Sequence, residues 1–170
     1  MPNDETRKTK SERSKAHRWV MRAIVAVAVL LGVGYLLWQM NMQQQAVGLH
    51  HQTYYVSIAR TPEELQRGLS GTDSLAANRA MLFVFPKEDK WAIWMKDMSY
   101  PIDIVWLDKD AVVNYMVKNA QPSSYNAAVA TKSTQFAPDK PARYVIELPS
   151  GTIERTGIVI GDPAGLPSGI

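Results

Sequence analysis

Lys96, Asp97 and Asp103 are the few charges in the central, otherwise apolar stretch that precedes Leu107, in the run Met81 to Asp108, MLFVFPKEDKWAIWMKDMSYPIDIVWLD. Three chemistries suit them. A Ser-Lys dyad would pair Lys96 with Ser99 or Ser70 and needs a desolvated amine of lowered pKa. Trp94, Met95 and Met98 offer an apolar wall for it, but the adjacent Asp97 favours the charged ammonium instead. A carboxylate pair, Asp97 with Asp103, suits glycosidic acid–base work when held at a defined separation across a bond. A polar cluster of Arg67, Lys96, Asp97, Asp103 and Arg143 at the mouth of a β core would hold a small ligand or peptide. Against all three stands a plain structural role. Asp103 alternates with Ile102 and Ile104, as Arg143 and Glu147 alternate with Tyr144, Ile146 and Leu148. Cross-strand pairing on an outer face would then satisfy every one of these charges.

Several chemistries are excluded. From Tyr54 to Asp162 there is no His, and the whole chain has no Cys, so Ser-His-Asp and Cys-His catalysis and thiolate metal sites are unavailable there. His50-His51 has no third ligand nearby, and no metal or cofactor is expected. No glycine loop has phosphate-binding spacing. The net charge of +3 belongs to the N-terminal tail: from Asn41 onward 12 Lys and Arg face 13 Asp and Glu. So even a balance does not select a phosphate backbone, and nucleic acid is not an expected partner.

The elements that must position these residues read as strands with two short helices. Tyr54 to Ala59 is a first strand by its aromatic and β-branched content. Thr61-Pro62-Glu63-Glu64 opens a helix, with Thr61 as cap, Pro62 at the first position and Glu64 completing a capping box. That helix should run to about Leu69, bury Leu65 and Leu69, and stop at Gly71. The runs MLFVF, WAIWM and IDIVWL are strands, joined by PKEDK (Pro86 to Lys90) as a turn and DMSYP (Asp97 to Pro101) as a second connection. Asp108-Lys109-Asp110 turns Ile102 to Leu107 into a hairpin with Val112 to Val117. Asn119 to Pro141 reads as a loop. Arg143 to Leu148 is a half-buried strand, Ser150 to Thr156 one helical turn, and Ile158 to Ile160 a last short strand.

Ahead of this domain, Trp19 to Met40 (WVMRAIVAVAVLLGVGYLLWQM) reads as a transmembrane helix. Helical rise sets its two tryptophans about 28 Å apart, near the hydrocarbon thickness. Tryptophans at both ends suit interfacial anchoring, and no small-x-small cleavage site follows within Asn41 to Gln45. Seven Lys and Arg precede Ala23 and none lies between Ala23 and Ala59. The N-terminus is therefore expected in the cytoplasm and the domain outside.

MLFVFP followed by WMKDMSYPIDIVWLD resembles the domain of unknown function 192 family. The resemblance continues in ARYVIELPSGTIERTGIVIGD, Ala142 to Asp162, and more weakly in RGLSGTDSL, Arg67 to Leu75. It covers roughly Tyr54 to Asp162. Ser70 and Gly71 depart from the family pattern, and the 119–141 loop is long. The resemblance implies a compact, mostly β domain, often exported or membrane-attached, and no particular activity.

The expected fold is α+β: a small, mostly antiparallel, barrel-like β domain with one or two short helices, preceded by a single transmembrane helix. Its parts are a basic disordered tail (1–18), the helix (19–40), a linker (41–52), the family domain (53–162) and a flexible tail (163–170). The expected function is a binding or scaffold module at the outer face of the cytoplasmic membrane. Its partners would be the lipid bilayer through 19–40 and an envelope protein or small ligand. The alternative is an envelope hydrolase using Lys96 with a serine, or Asp97 and Asp103.

Overall fold

Burial on both faces of one sheet decides how the apolar runs are used. The computed structural model of the protein describes residues 45–127 and 135–170, together with residues 19, 21, 22 and 24–34. The latter belong to a separate unit, Met1–Gln43. Residues 24–34 are helical with exposed side chains, Leu30 and Leu31 among them. Among the described residues no helix is long and apolar enough to cross a membrane. The 1–18 tail and part of the expected 19–40 span lie outside the described residues.

The second unit, Gln44–Ile170, is α+β, built on a mostly antiparallel, curled sheet with the form of a half-barrel. Its strands are β1 (Ala46–Leu49), β2 (Gln52–Ala59), β3 (Arg79–Asp89), β5 (Ile102–Leu107), β6 (Val113–Ala120), β8 (Ala142–Pro149) and β9 (Ala164–Gly165), in the order β6-β5-β8-β3-β2-β1-β9. Among the described strand pairs only β2 and β3 run parallel, as a crossover through helix α1 (Pro62–Arg67) requires. A separate two-stranded sheet joins β4 (Ile93–Trp94) to β7 (Gln135–Phe136). A five-residue helix, α2 (Thr152–Thr156), follows β8.

One core cluster includes Leu82, Val105, Leu107, Ile146, Leu148 and Ile153. The other includes Phe83, Phe85, Ile102, Ile104, Trp106 and Val145. β5, buried at all six positions, serves both. Each such side chain contributes about 1.5–3 kcal/mol when fully removed from water. Arg143 to Leu148 alternates as expected, yet its second face meets the second core and not solvent. The strand is therefore buried almost throughout, Glu147 included.

Several expectations are corrected. The 41–52 linker contains β1, whose Val47 and Leu49 are buried. His50 and His51, with φ of 45° and 63°, close β1 onto β2 as a two-residue turn, the left-handed pair a tight hairpin needs. PKEDK is no turn: β3 runs on to Asp89, with a register irregularity against β8 between Val84 and Asp89. Pro86 falls in this irregularity, where a missing N–H does no harm to the ladder. WAIWM shrinks to Ile93–Trp94 because this segment leaves the main sheet to pair with β7. The first helix stops at Gly68 rather than Gly71. Residues 158–160 form no strand; the last strand is Ala164–Gly165, in the tail expected to fray. It pairs with Gly48 and Leu49, and Leu166 and Ile170 pack on the core. The long loop also holds part of β6, a 3-10 turn at Pro122–Ser124 and β7.

Candidate functional site

Helix α1 is fixed at its start by side-chain chemistry. Thr61 Oγ1 accepts the Glu64 N–H at 3.3 Å, while Glu64 Oε2 accepts the N–H groups of Arg60 and Thr61 at 2.9 and 3.0 Å. Those bonds, Arg60's first, hold the Glu64 carboxyl below its ordinary range. The segment after the helix is tied to the 95–100 connection: Ser70 Oγ donates to Lys96 O at 2.7 Å and Gly71 N to Asp97 O at 2.9 Å. Asp97 itself sits at φ 54°. Across from α1, Trp91 stacks on Phe85 with ring centroids 4.4 Å apart, and Phe85 stacks on Phe83 at 6.2 Å. Trp106 Nε1 donates to Trp91 O at 2.8 Å, pinning this wall to β5.

These parts enclose a cavity of about 320 Å³. Its walls are largely aromatic and aliphatic: Leu65, Phe83, Phe85, Trp91, Trp94 and Met98. Its inner lining includes Glu147, paired in register with Met81 on one side and Ile104 on the other. Glu147 is 4 % exposed, and its Oε2 has no hydrogen-bond partner among the described residues. Burial pushes this carboxyl up to about 8, so it is protonated at neutral pH. Gly68 makes room for Phe83: a Cβ there would lie 3.0 Å from Phe83 Cζ, and at an ordinary contact distance of 3.9 Å from Glu147 Oε2.

A second, more open space of about 300 Å³ adjoins the first, sharing Gln66, Arg67, Ser70 and Trp94 and adding Glu63, Lys96 and Asp97. Lys96 Nζ lies 5.9 Å from the Trp94 ring centroid, a cation–π distance. Ion pairs among the described residues join Lys87 to Asp89, Lys109 to Asp110 and Lys118 to Glu154, and His50 Nδ1 hydrogen-bonds Asp162 Oδ2 at 2.8 Å; neither Arg67 nor Lys96 takes part.

Of the five residues expected to form a cluster, Arg67, Lys96 and Asp97 come together. Asp103 does not join them. It is fully buried on the opposite face, where Oδ1 accepts the Asn119 N–H and Oδ2 the Ile153 N–H, each at 2.8 Å. Two backbone amides replace the lysine as its partners, and the carboxylate is committed to joining β6 and α2. Arg143 is half-buried and lines neither space. Serine chemistry is not assembled: Ser70 and Ser99 donate to the carbonyls of Lys96 and Thr72, not to the lysine amine. Glu147 was hidden in sequence because it occupies an alternating polar position; only the central place of β8 makes that position interior.

A half-barrel α+β domain with an aromatic cavity over a buried acid is the class that fold and site define. Residues 43–165 match the DUF192 family, described as "Uncharacterized ACR", and the chain belongs to that family. Two crystal structures are similar to it. One, a protein of unknown function from Novosphingobium aromaticivorans DSM 12444, is 25% identical, with a TM-score of 0.61 over 71% of this chain and 81% of that one. The other, from Sinorhizobium meliloti 1021 and described as "a putative transcription regulator", is 26% identical, with a TM-score of 0.63 over 72% and 92%. No curated protein matches.

Proposed function

We propose that this protein is a small-molecule binding module, anchored in the cytoplasmic membrane by residues 19–40 with its domain on the outer side. The observation that carries the binding role is Glu147. A carboxyl left without a partner in an apolar interior costs the fold stability, and such a group opening into an aromatic cavity is what a ligand with one matching polar group would satisfy. The anchor rests on the uncharged run from Ala23 to Trp38 and the seven basic residues before Ala23.

The binding role is tested by screening a small-molecule panel against the full-length protein, reading tryptophan fluorescence and thermal unfolding. Ligands should quench the emission of Trp91 and Trp94, raise the unfolding temperature, and lose both effects in Glu147→Gln. Ligands that bind equally well to Glu147→Gln would refute a role for this acid.

A further inference from the structure

The cavity and its neighbour hold a protonated acid and two basic side chains that take part in no ion pair among the described residues. Glu147 lies within; Arg67, exposed at the end of α1, lines both spaces; Lys96 borders the outer one. No ion pair among the described residues joins any of them. Among the described residues Arg67 is the only other charged residue in the cavity lining, so the cavity has an acid within and a base at its edge, while the outer space adds charges of both signs. Glu63 and Asp97 share the outer space, and Arg143, on the same face of β8 as Glu147, lines neither.

The two ends ask for different things. An aromatic enclosure around an acid that can give up its proton suits an organic cation, since ring faces and the ionised carboxylate attract the same charge. A purely cationic ligand would set a like charge beside Arg67 at the edge of the cavity, and a purely anionic one would meet Glu147. A neutral apolar ligand would leave Glu147 Oε2 without a partner.

We infer that the cavity takes a small soluble zwitterion, an alkylated ammonium held within the aromatic walls against Glu147 with its anionic group at Arg67 and Lys96. This rests on the binding role proposed above. Binding ionises Glu147, whose proton leaves to the buffer. Below the point where the acid ionises by itself, one proton is therefore released for each ligand bound, and affinity rises with pH.

Isothermal titration of the full-length protein tests this with carnitine as zwitterion, choline as cation alone and decanoate as apolar anion, at pH 6, 7, 8 and 9 in buffers of different ionisation enthalpy. Carnitine should bind most tightly, gain about tenfold in affinity per pH unit up to about pH 8, and level off above it. Glu147→Gln should abolish proton release and weaken binding about tenfold or more at pH 8. Arg67→Ala should bring carnitine down to the affinity of choline, and thermal unfolding checks that both variants are folded. Choline binding as tightly as carnitine overturns the inference, as does decanoate binding that weakens above pH 8, although the latter leaves the broader binding role standing. Failure of all three probes overturns the zwitterion while the panel above still decides the binding role.

Discussion

Replacing Glu147 by Gln removes the one ionisation in the cavity floor while nearly preserving shape, and its effect on stability follows from burial. In the unfolded chain the carboxyl ionises near 4.5; in the folded protein burial pushes it up to about 8. Below 4.5 the group is neutral in both states and disturbs neither. Between 4.5 and about 8 the folded state keeps a proton that the unfolded state has lost, so rising pH favours unfolding. Above about 8 both are charged and the loss is complete. At about 1.4 kcal/mol per pH unit, this interval amounts to about 5 kcal/mol. That is a large fraction of the 5–15 kcal/mol typical of domains. Urea unfolding of wild type and Glu147→Gln at pH 5, 7 and 9 measures it. The two should lie within about 1 kcal/mol of each other at pH 5, and the variant should be more stable by several kcal/mol at pH 9. A difference that does not change between pH 5 and 9 would show that Glu147 is solvated or paired, and would refute the argument from burial.

Asp103→Asn replaces one accepting oxygen by an amide donor facing a backbone N–H, and should cost about 2–3 kcal/mol in the same unfolding experiment. Combined with Lys96→Met its effect should be additive within about 0.5 kcal/mol, because the two residues share no contact; stronger coupling would contradict the placement of Asp103. Gly68→Ala should lose about 1–3 kcal/mol, since φ 51° and ψ −132° exclude a side chain and Phe83 Cζ stands in its way. An unchanged unfolding midpoint would dispose of that reasoning. For the anchor, the full chain should sediment with membranes at its uncleaved mass, and protease outside spheroplasts should digest the domain while sparing the basic tail. A mature N-terminus near Ala46, or a domain protected until lysis, would overturn it.

Much of the fold is legible where local chemistry is strong. The capping box at Thr61 and Glu64 and the hairpin of β5 with β6 each rest on residues that act within a few positions of one another. What stayed hidden depends on distant partners. β1 is short and Gly-containing and closes through two histidines, where an Asn-Gly pair would have announced the turn. β9 exists only because β1 offers it an edge. The exposed end of β3 carries Pro and charges, which imitate a turn. Alternation in Arg143 to Leu148 identifies two faces without saying that both are interior, and so puts Glu147 on the outside. Arg67, Lys96 and Asp97 were recognisable as charges near an apolar segment; that Asp103 faces away needed the pairing of β5 with β8.

The attachment of α2 bears on the order in which the chain can fold. Five residues are too few to hold helical structure unaided, and Gly151 before them offers no capping side chain. The acceptor that the Ile153 N–H needs comes from Asp103, 50 residues upstream, and reaches it only once β5 has found its register on β8. Helix α2 is therefore a late acquisition, formed after the sheet and released with it. Its second amide should exchange with solvent hydrogen at the pace of the central strands and not at that of a fraying surface turn.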